Sequence, residues 1–274
     1  MPRSIWKGAI SFGLVTIPVK LYSATEERDV SFHQVHAEDG GRIKYKRVCE
    51  KDGKEIPYSE IAKGYEAPDG RLAILEKSDF DDLPLPSTKQ VEVVQFVDAD
   101  EVDPTYLNKT YFLEADGPGA KPYVLLRDAL SKSGKSALVK VALRNREQLA
   151  LIRPKDDLLV LHTMLWPDEL RDGEFAAPPA DVTVSDAEVK MAQSFIDALD
   201  ADFAPEQYHD DYRAALEEVV NAKLSGAPMP TEEGETEGAD AAEVVDLVAA
   251  LRASVDAAKK RREQAAGSGD AKTG

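Results

Sequence analysis

The sequence predicts a mixed α+β fold that is mainly β, with a closed sheet or barrel followed by a helical region. Two observations of pattern carry this. Short runs rich in Val, Ile, Leu, Tyr and Thr recur at close spacing as far as residue 163, with one helical pattern among them. Such spacing favours a sheet that closes on itself over alternating β-α units. Past a connector, Ala176-Ala-Pro-Pro-Ala, the periodicity becomes that of amphipathic helices. Composition agrees, because 43% apolar residues in a chain of 274 is ample for a core.

The elements follow in order. Residues 10–22 read as two short apolar strands broken by Gly13 and Pro18. A polar stretch leads to Arg42-Ile-Lys-Tyr-Lys-Arg-Val, an expected strand over 42–48. Period-two alternation puts Arg42, Lys44 and Lys46 on one face and Ile43, Tyr45 and Arg47 on the other. Further strands are expected over 72–75, 89–97, 110–115, 137–143, 147–153 and 158–163. Residues 122–131 carry apolar side chains at three- and four-residue spacing and stop at Gly134, which marks a helix. Gly117-Pro-Gly is a turn, and residues 142–150 form a hairpin with Asn145 near its tip. Trp6 and Trp166 are expected to anchor the core.

After the connector, Ser185 caps a helix with Glu188 as its capping-box partner. Val189, Ala192, Phe195, Ile196 and Leu199 form its apolar stripe. A second helix is expected over 206–224, with Tyr208, Tyr212, Leu216, Val219 and Val220 on one face. From Gly226 the composition is that of a disordered acidic linker. A short amphipathic helix follows on Val244, Val245, Leu247, Val248, Leu251 and Val255, ending in Lys259-Lys-Arg-Arg262. The chain therefore divides near residues 180 and 225.

Charge is unevenly spread. With 34 basic and 51 acidic residues the net charge is −17, which taken whole argues against a polyanionic partner. Residues 42–54, however, hold six basic and two acidic side chains, and residues 121–155 hold nine and two. Residues 185–223 hold three basic and ten acidic. One surface is thus expected to be basic while the remainder repels. The first cluster, Arg42, Lys44, Lys46, Arg47 and Lys54, fits a solubilising edge strand and a DNA-facing strand equally well. The second, Lys132, Lys135, Lys140, Arg144, Arg146 and Arg153, is locally unbalanced and favours phosphate contact. Neither cluster interleaves the aromatics that stack single-stranded bases. No helix-turn-helix or zinc-finger pattern reads base edges. The pattern is that of backbone binding without sequence specificity.

Catalytic signatures are missing: there is no phosphate loop, Gly-x-Ser-x-Gly or dinucleotide fingerprint. Asp81-Asp82 and Asp210-Asp211 read as solvated helix starts or loops. His33 and His36 with the lone Cys49 fall short of a structural zinc set. They read as histidines in a barrel strand and a half-buried thiol. No metal, cofactor or enzymatic activity is expected. The sequence also lacks an apolar run of about 18 residues and a secretory h-region. A single cysteine fits a reducing cytoplasm.

The identity and order of several runs say more. They are Trp6-Lys-Gly-Ala-Ile-Ser-Phe-Gly-Leu-Val, Ile17-Pro-Val-Lys-Leu-Tyr, Ser31-Phe-His-Gln-Val-His and Gly40-Gly-Arg-Ile-Lys-Tyr-Lys-Arg-Val-Cys49. Arg146-Glu-Gln-Leu-Ala-Leu-Ile-Arg-Pro, Trp166-Pro-Asp-Glu-Leu-Arg and Tyr208-His-Asp-Asp-Tyr-Arg continue the series. From Arg3 to about Lys223 the chain resembles the bacterial Ku family of DNA-end-binding proteins. The resemblance implies a Ku-like β-barrel core over 1–180 with an extended bridge at about 40–75. A minimal helical C-terminal region over 181–225 and a tail over 226–274 would follow.

It further implies a homodimer that closes a ring around duplex DNA, threads onto double-strand ends and recruits the ATP-dependent end-joining ligase (ligase D type). Its setting would be the bacterial cytoplasm, at the nucleoid. On this footing Arg42, Lys44, Lys46 and Arg47 line the ring. Tyr208, Tyr212 and Leu216 contact the ligase, unless they pack the helix pair. Two features depart from the family pattern. Asp52 stands where many relatives carry a second cysteine, and the tail is acidic where many are lysine-rich. A protein-interaction scaffold of the same fold with weak DNA binding is the alternative, ahead of an enzyme.

Overall fold

Seven strands close into a barrel in the computed structural model, which describes residues 2–80, 89–144 and 146–228 together with positions 254 and 257. Asp81-Asp82, Asn145, the stripe from Val244 to Val255, the tail cations and nearly all of the acidic linker lie outside the described residues. Strand β1 (Trp6–Phe12) and β2 (Val15–Ser23) form a hairpin whose turn is taken by Gly13 at φ 58°. A second, two-stranded sheet pairs β3 (Lys63–Glu66) with β4 (Leu72–Leu75). The barrel resumes with β5 (Gln90–Asp98), β6 (Leu107–Ala115), β7 (Lys135–Leu143), β8 (Arg146–Lys155) and β9 (Leu158–Met164). Helix α1 (Ala120–Ser133) joins β6 to β7 and ends on Gly134 in the left-handed conformation.

Around the barrel the order is β1-β2-β6-β9-β8-β7-β5. The seam is the parallel pair β1/β5, with Ile10 beside Val91, and the other neighbours are antiparallel. Pro18 does not break β2. It sits inside the strand opposite Ala9, and β2 pairs with β6 only from Val19 onward, so Pro18 disturbs no second ladder.

Alternate residues fill the interior: Ile17, Val19 and Leu21 from β2, Ala137, Val139 and Val141 from β7, Ala150 and Ile152 from β8, and Leu159 and Leu161 from β9. Tyr123, Leu126 and Leu130 of α1 belong to the same cluster. The helix touches β2, β7 and β8, and β2 is separated from β8 by two intervening strands. It therefore lies across one end of the barrel and closes it. The Tyr123 hydroxyl completes the seal, donating to the Leu113 carbonyl of β6 and accepting from the Leu159 N–H of β9, each at 2.7 Å.

Trp6 packs half-buried against the core, as expected of an anchor. A Cβ on Gly8 would lie 2.2 Å from the Trp6 ring and 2.3 Å from the Lys89 carbonyl, so only glycine permits this stacking. Trp166 is different: it is half-buried outside the core cluster, at the start of a short 3-10 turn over Pro167–Glu169.

Residues 24–80 form an arm between β2 and β5 in which no residue is buried. The strand expected over 42–48 is absent. That segment is irregular and held by isolated bridges, Val35 with Arg42 and Val48 with Glu55. Alternation of charge and apolar residues selects a strand only when a continuous partner edge and a buried face exist, and here the pairing is confined to single bridges and no residue is buried. His33, His36 and the half-buried Cys49 lie on this arm rather than in a barrel strand.

The chain divides into two compact units, Met1–Asp172 and Gly173–Gly274. In the second, α2 (Asp186–Leu199) begins at Ser185, whose hydroxyl accepts the Glu188 N–H at 3.3 Å. The Glu188 carboxylate accepts the Ser185 N–H at 2.7 Å, which closes the capping box. Helix α3 (Asp211–Ser225) starts later than expected. Asp210 caps it, accepting the Arg213 N–H at 2.9 Å, and Tyr208 follows a separate 3-10 turn over Pro205–Gln207. Tyr208 therefore does not share a helix face with Tyr212 and Leu216. The proline and the Asp cap, both strong local stop and start signals, account for the shift.

Candidate nucleic-acid interface

The first cationic set lies along the arm, every member exposed. Lys46 is paired with Glu55 at 2.6 Å and Lys54 with Asp52 at 3.2 Å. Arg47 lies over the Tyr58 ring, 5.4 Å from its centroid, which orients the guanidinium and leaves its charge uncompensated. Arg42 and Lys44 project without an ion pair among the described residues. The arm's strongest attraction for an anion thus comes from Arg42, Lys44 and Arg47. The carboxylates of Glu55 and Asp52 offset the other two. The arm's hairpin adds Lys63. Its ammonium lies 4.4 Å from the centroid of Phe80.

The second set is divided by the barrel. Lys132 is exposed in the last turn of α1, and Lys135 opens β7 in a 2.8 Å pair with Asp98 that raises its pKa. Arg144 and Arg146 stand at the far end of β7 and the start of β8. Nine residues of strand separate Lys135 from Arg144, or roughly 30 Å. Between them Lys140 faces outward, 3.7 Å from Glu147 and 5.8 Å from the Trp166 ring centroid. Arg153 is turned to another task. Its Nε donates to Nε2 of His162 at 2.9 Å, and Nδ1 of His162 meets the Thr110 hydroxyl at 3.1 Å. This pairing requires a neutral imidazole with its proton on Nδ1. Burial, reinforced by the charges of Arg153 and Lys155, holds the His162 pKa below its ordinary value.

What the structure does bring together is Arg144, Arg146 and Lys109, which line one cleft at the end of the barrel opposite α1. Lys109 escaped the sequence reading because it is an isolated cation in β6. A bulge between Leu107 and Thr110, which alternation in the sequence does not reveal, brings it to the cleft. Among the described residues, no three His, Cys, Asp or Glu side chains converge to hold a metal ion. No described helix is long and apolar enough to cross a membrane. In the second unit Tyr208 is 75% exposed and Tyr212 78% exposed, while Leu216 is half-buried.

The family model of the Ku70/Ku80 beta-barrel domain matches residues 11–191. The chain belongs to the Ku family. Relatives agree over nearly its full length. The non-homologous end joining protein Ku of Frankia casuarinae is 53% identical over 260 residues, covering 95% of this chain and 65% of the relative. The Ku 2 protein of Saccharopolyspora erythraea is 49% identical over 263 residues, with 95% and 85% covered. The Ku protein of Mycobacterium tuberculosis strain H37Rv is 44% identical over 263 residues, with 94% and 96% covered. The chain thus spans just under two thirds of the Frankia relative and nearly all of the mycobacterial one. The match to the Ku barrel model takes in both cationic sets and the whole arm from residue 24. Tyr208, Tyr212 and Leu216 fall beyond it.

Proposed function

We propose that this chain is one subunit of a homodimeric ring that threads onto double-stranded DNA ends without sequence specificity, for non-homologous end joining. The arm is the observation that carries this. It is a long insertion with no buried residue, and it presents Arg42, Lys44 and Arg47 beside exposed Phe32, Tyr45, Tyr65, Leu72 and Ile74. A segment without a core cannot repay the entropy of ordering itself. Its cations suit duplex phosphates and its apolar residues suit a second copy. Residues 40–75 are the encircling bridge in this reading, and the barrel cations Lys132, Lys135, Lys140, Arg144 and Arg146 add phosphate contacts, whereas Arg153 is held by His162. The relatives' name, non-homologous end joining protein Ku, supports the same process.

The protein's part is binding rather than catalysis. Each phosphate neutralised releases counterions, which drives association, and closure of the ring retains the DNA. The net charge of −17 disfavours side-on approach by intact duplex, leaving ends as the route of entry. Tyr208, Tyr212 and Leu216, on an otherwise acidic helical unit, are the proposed contacts for the ATP-dependent ligase.

The test compares linear duplex with the same DNA closed into a circle, at moderate salt. Tight binding to the linear form alone is expected. For six to ten phosphate contacts, affinity should fall by roughly 10³–10⁵ between 50 and 200 mM salt. Equal binding to both forms refutes end threading. Negligible binding to either leaves a protein-interaction scaffold, which the net negative charge favours.

A further inference from the structure

We propose that the open end of the barrel is a binding cleft for a nucleoside phosphate. Three inward rows change character at that end. On β8 the core residues Ile152 and Ala150 are followed on the same face by Gln148 and Arg146. On β9 Leu159 and Leu161 give way to Thr163, and on β6 Leu113 and Tyr111 give way to a bulge that presents Asn108 and Lys109. With α1 closing the opposite end, these side chains surround a cleft of about 340 Å³ floored by Trp6 and Tyr111. That volume suits one nucleotide and excludes a duplex. Barrel mouths are a recurrent place for small-ligand sites.

The charge of the cleft is one-sided. Lys109, Arg144 and Arg146 line it, and among the described residues no acidic side chain does. Glu147, adjacent to Arg146, lies on the other face of β8 and reaches out to Lys140. Arg144 is set at the rim by its turn. It is the first residue of a two-residue hairpin turn, since Leu143 pairs with Arg146, and it holds φ 51°. Glycine, asparagine and aspartate suit that left-handed position, and arginine is strained there. The turn imposes that backbone, as the β8–β9 turn does on Asp156, and it puts the Arg144 guanidinium at the rim of the cleft. Cations for the phosphate, aromatic faces for a base and the amides of Asn108 and Gln148 for its edge make up the chemistry of one nucleotide.

The nucleotide can be free or can be the unpaired, 5′-phosphorylated terminal residue of a DNA end. With the DNA end as source, the inference rests on the end-binding reading above, and with a free nucleotide it stands alone. The full chain carrying Trp166→Phe keeps Trp6 as its single tryptophan, so titration with ADP reads the cleft by fluorescence, with calorimetry as the second measurement. Saturable ADP binding is expected, with adenosine weaker by about tenfold or more. Arg144→Gly fits the turn's backbone, so it removes the rim charge without unfolding the hairpin. Together with Arg146→Gln it should weaken ADP binding by about tenfold or more.

Displacement of ADP by a hairpin duplex with a 5′-phosphorylated single-stranded overhang, and not by its 5′-hydroxyl counterpart, assigns the source to the DNA end. Displacement by neither assigns it to the free nucleotide. No heat or fluorescence change with ADP or with the phosphorylated end overturns the cleft, as does equal binding of adenosine or an unaffected double variant. The linear-versus-circular comparison on the same preparation separates the two failures. Loss of ADP binding with the linear preference intact removes the cleft alone, and loss of that preference removes the end-binding reading.

Discussion

His162 illustrates how a single side chain takes its properties from neighbours far away in sequence. It is 9% exposed, held neutral by the Nε donor of Arg153 and by Thr110. Burial and the nearby cations lower its folded pKa, whereas in the unfolded chain it titrates near 6.5. Between those two values the unfolded chain binds more protons, so stability rises with pH through that window. The contribution is complete above about pH 6.5 and is lost on acidification. The denaturation midpoint should therefore fall more between pH 7.5 and pH 5 in the parent than in His162→Gln. Equal slopes would place the acid sensitivity elsewhere. The cationic clusters were legible as composition, because charge counts need no structure. Their pairing was not: Lys46 meets Glu55 and Lys135 meets Asp98 across turns and strands that composition does not reveal.

At the scale of elements, α1 is more than a connector. It closes the barrel, and Tyr123 fastens it to two strands through a hydroxyl that satisfies one backbone acceptor and one donor. Tyr123→Phe keeps the ring and strands both groups in a buried setting. A loss of about 2–3 kcal/mol is expected by chemical denaturation, and a change within ±0.5 kcal/mol would show that water replaces the hydroxyl. Helix caps were the most legible feature of the chain. Ser185 with Glu188 and Gly134 act within one turn, so their signals are local. The 42–48 segment failed for the opposite reason. A strand is defined by its partner, and the alternation in Arg42-Ile-Lys-Tyr-Lys-Arg-Val meets no sheet edge.

At the scale of the whole molecule, the arm and the barrel have contrasting economies. The barrel buries a continuous apolar cluster, while the arm exposes Tyr65, Leu72 and Ile74 on its hairpin. If those residues meet a second copy, Leu72→Glu with Ile74→Glu should convert a dimer into a monomer in sedimentation and weaken linear-DNA binding, without lowering the barrel's unfolding midpoint. An unchanged dimer would assign the interface elsewhere. By itself the sequence determined which stretches form most of the strands and helices, where the helices are capped, how charge is segregated and which family resemblance to expect. These follow from periodicity, turn chemistry and composition, all of which act over a few residues. Only the tertiary structure decided that β5 returns beside β1 to close the barrel, that α1 plugs one end, and that Lys109 joins Arg144 and Arg146 at the other. Those adjacencies link residues tens of positions apart. They arise from the packing of inward faces into one closed core, which no local pattern encodes.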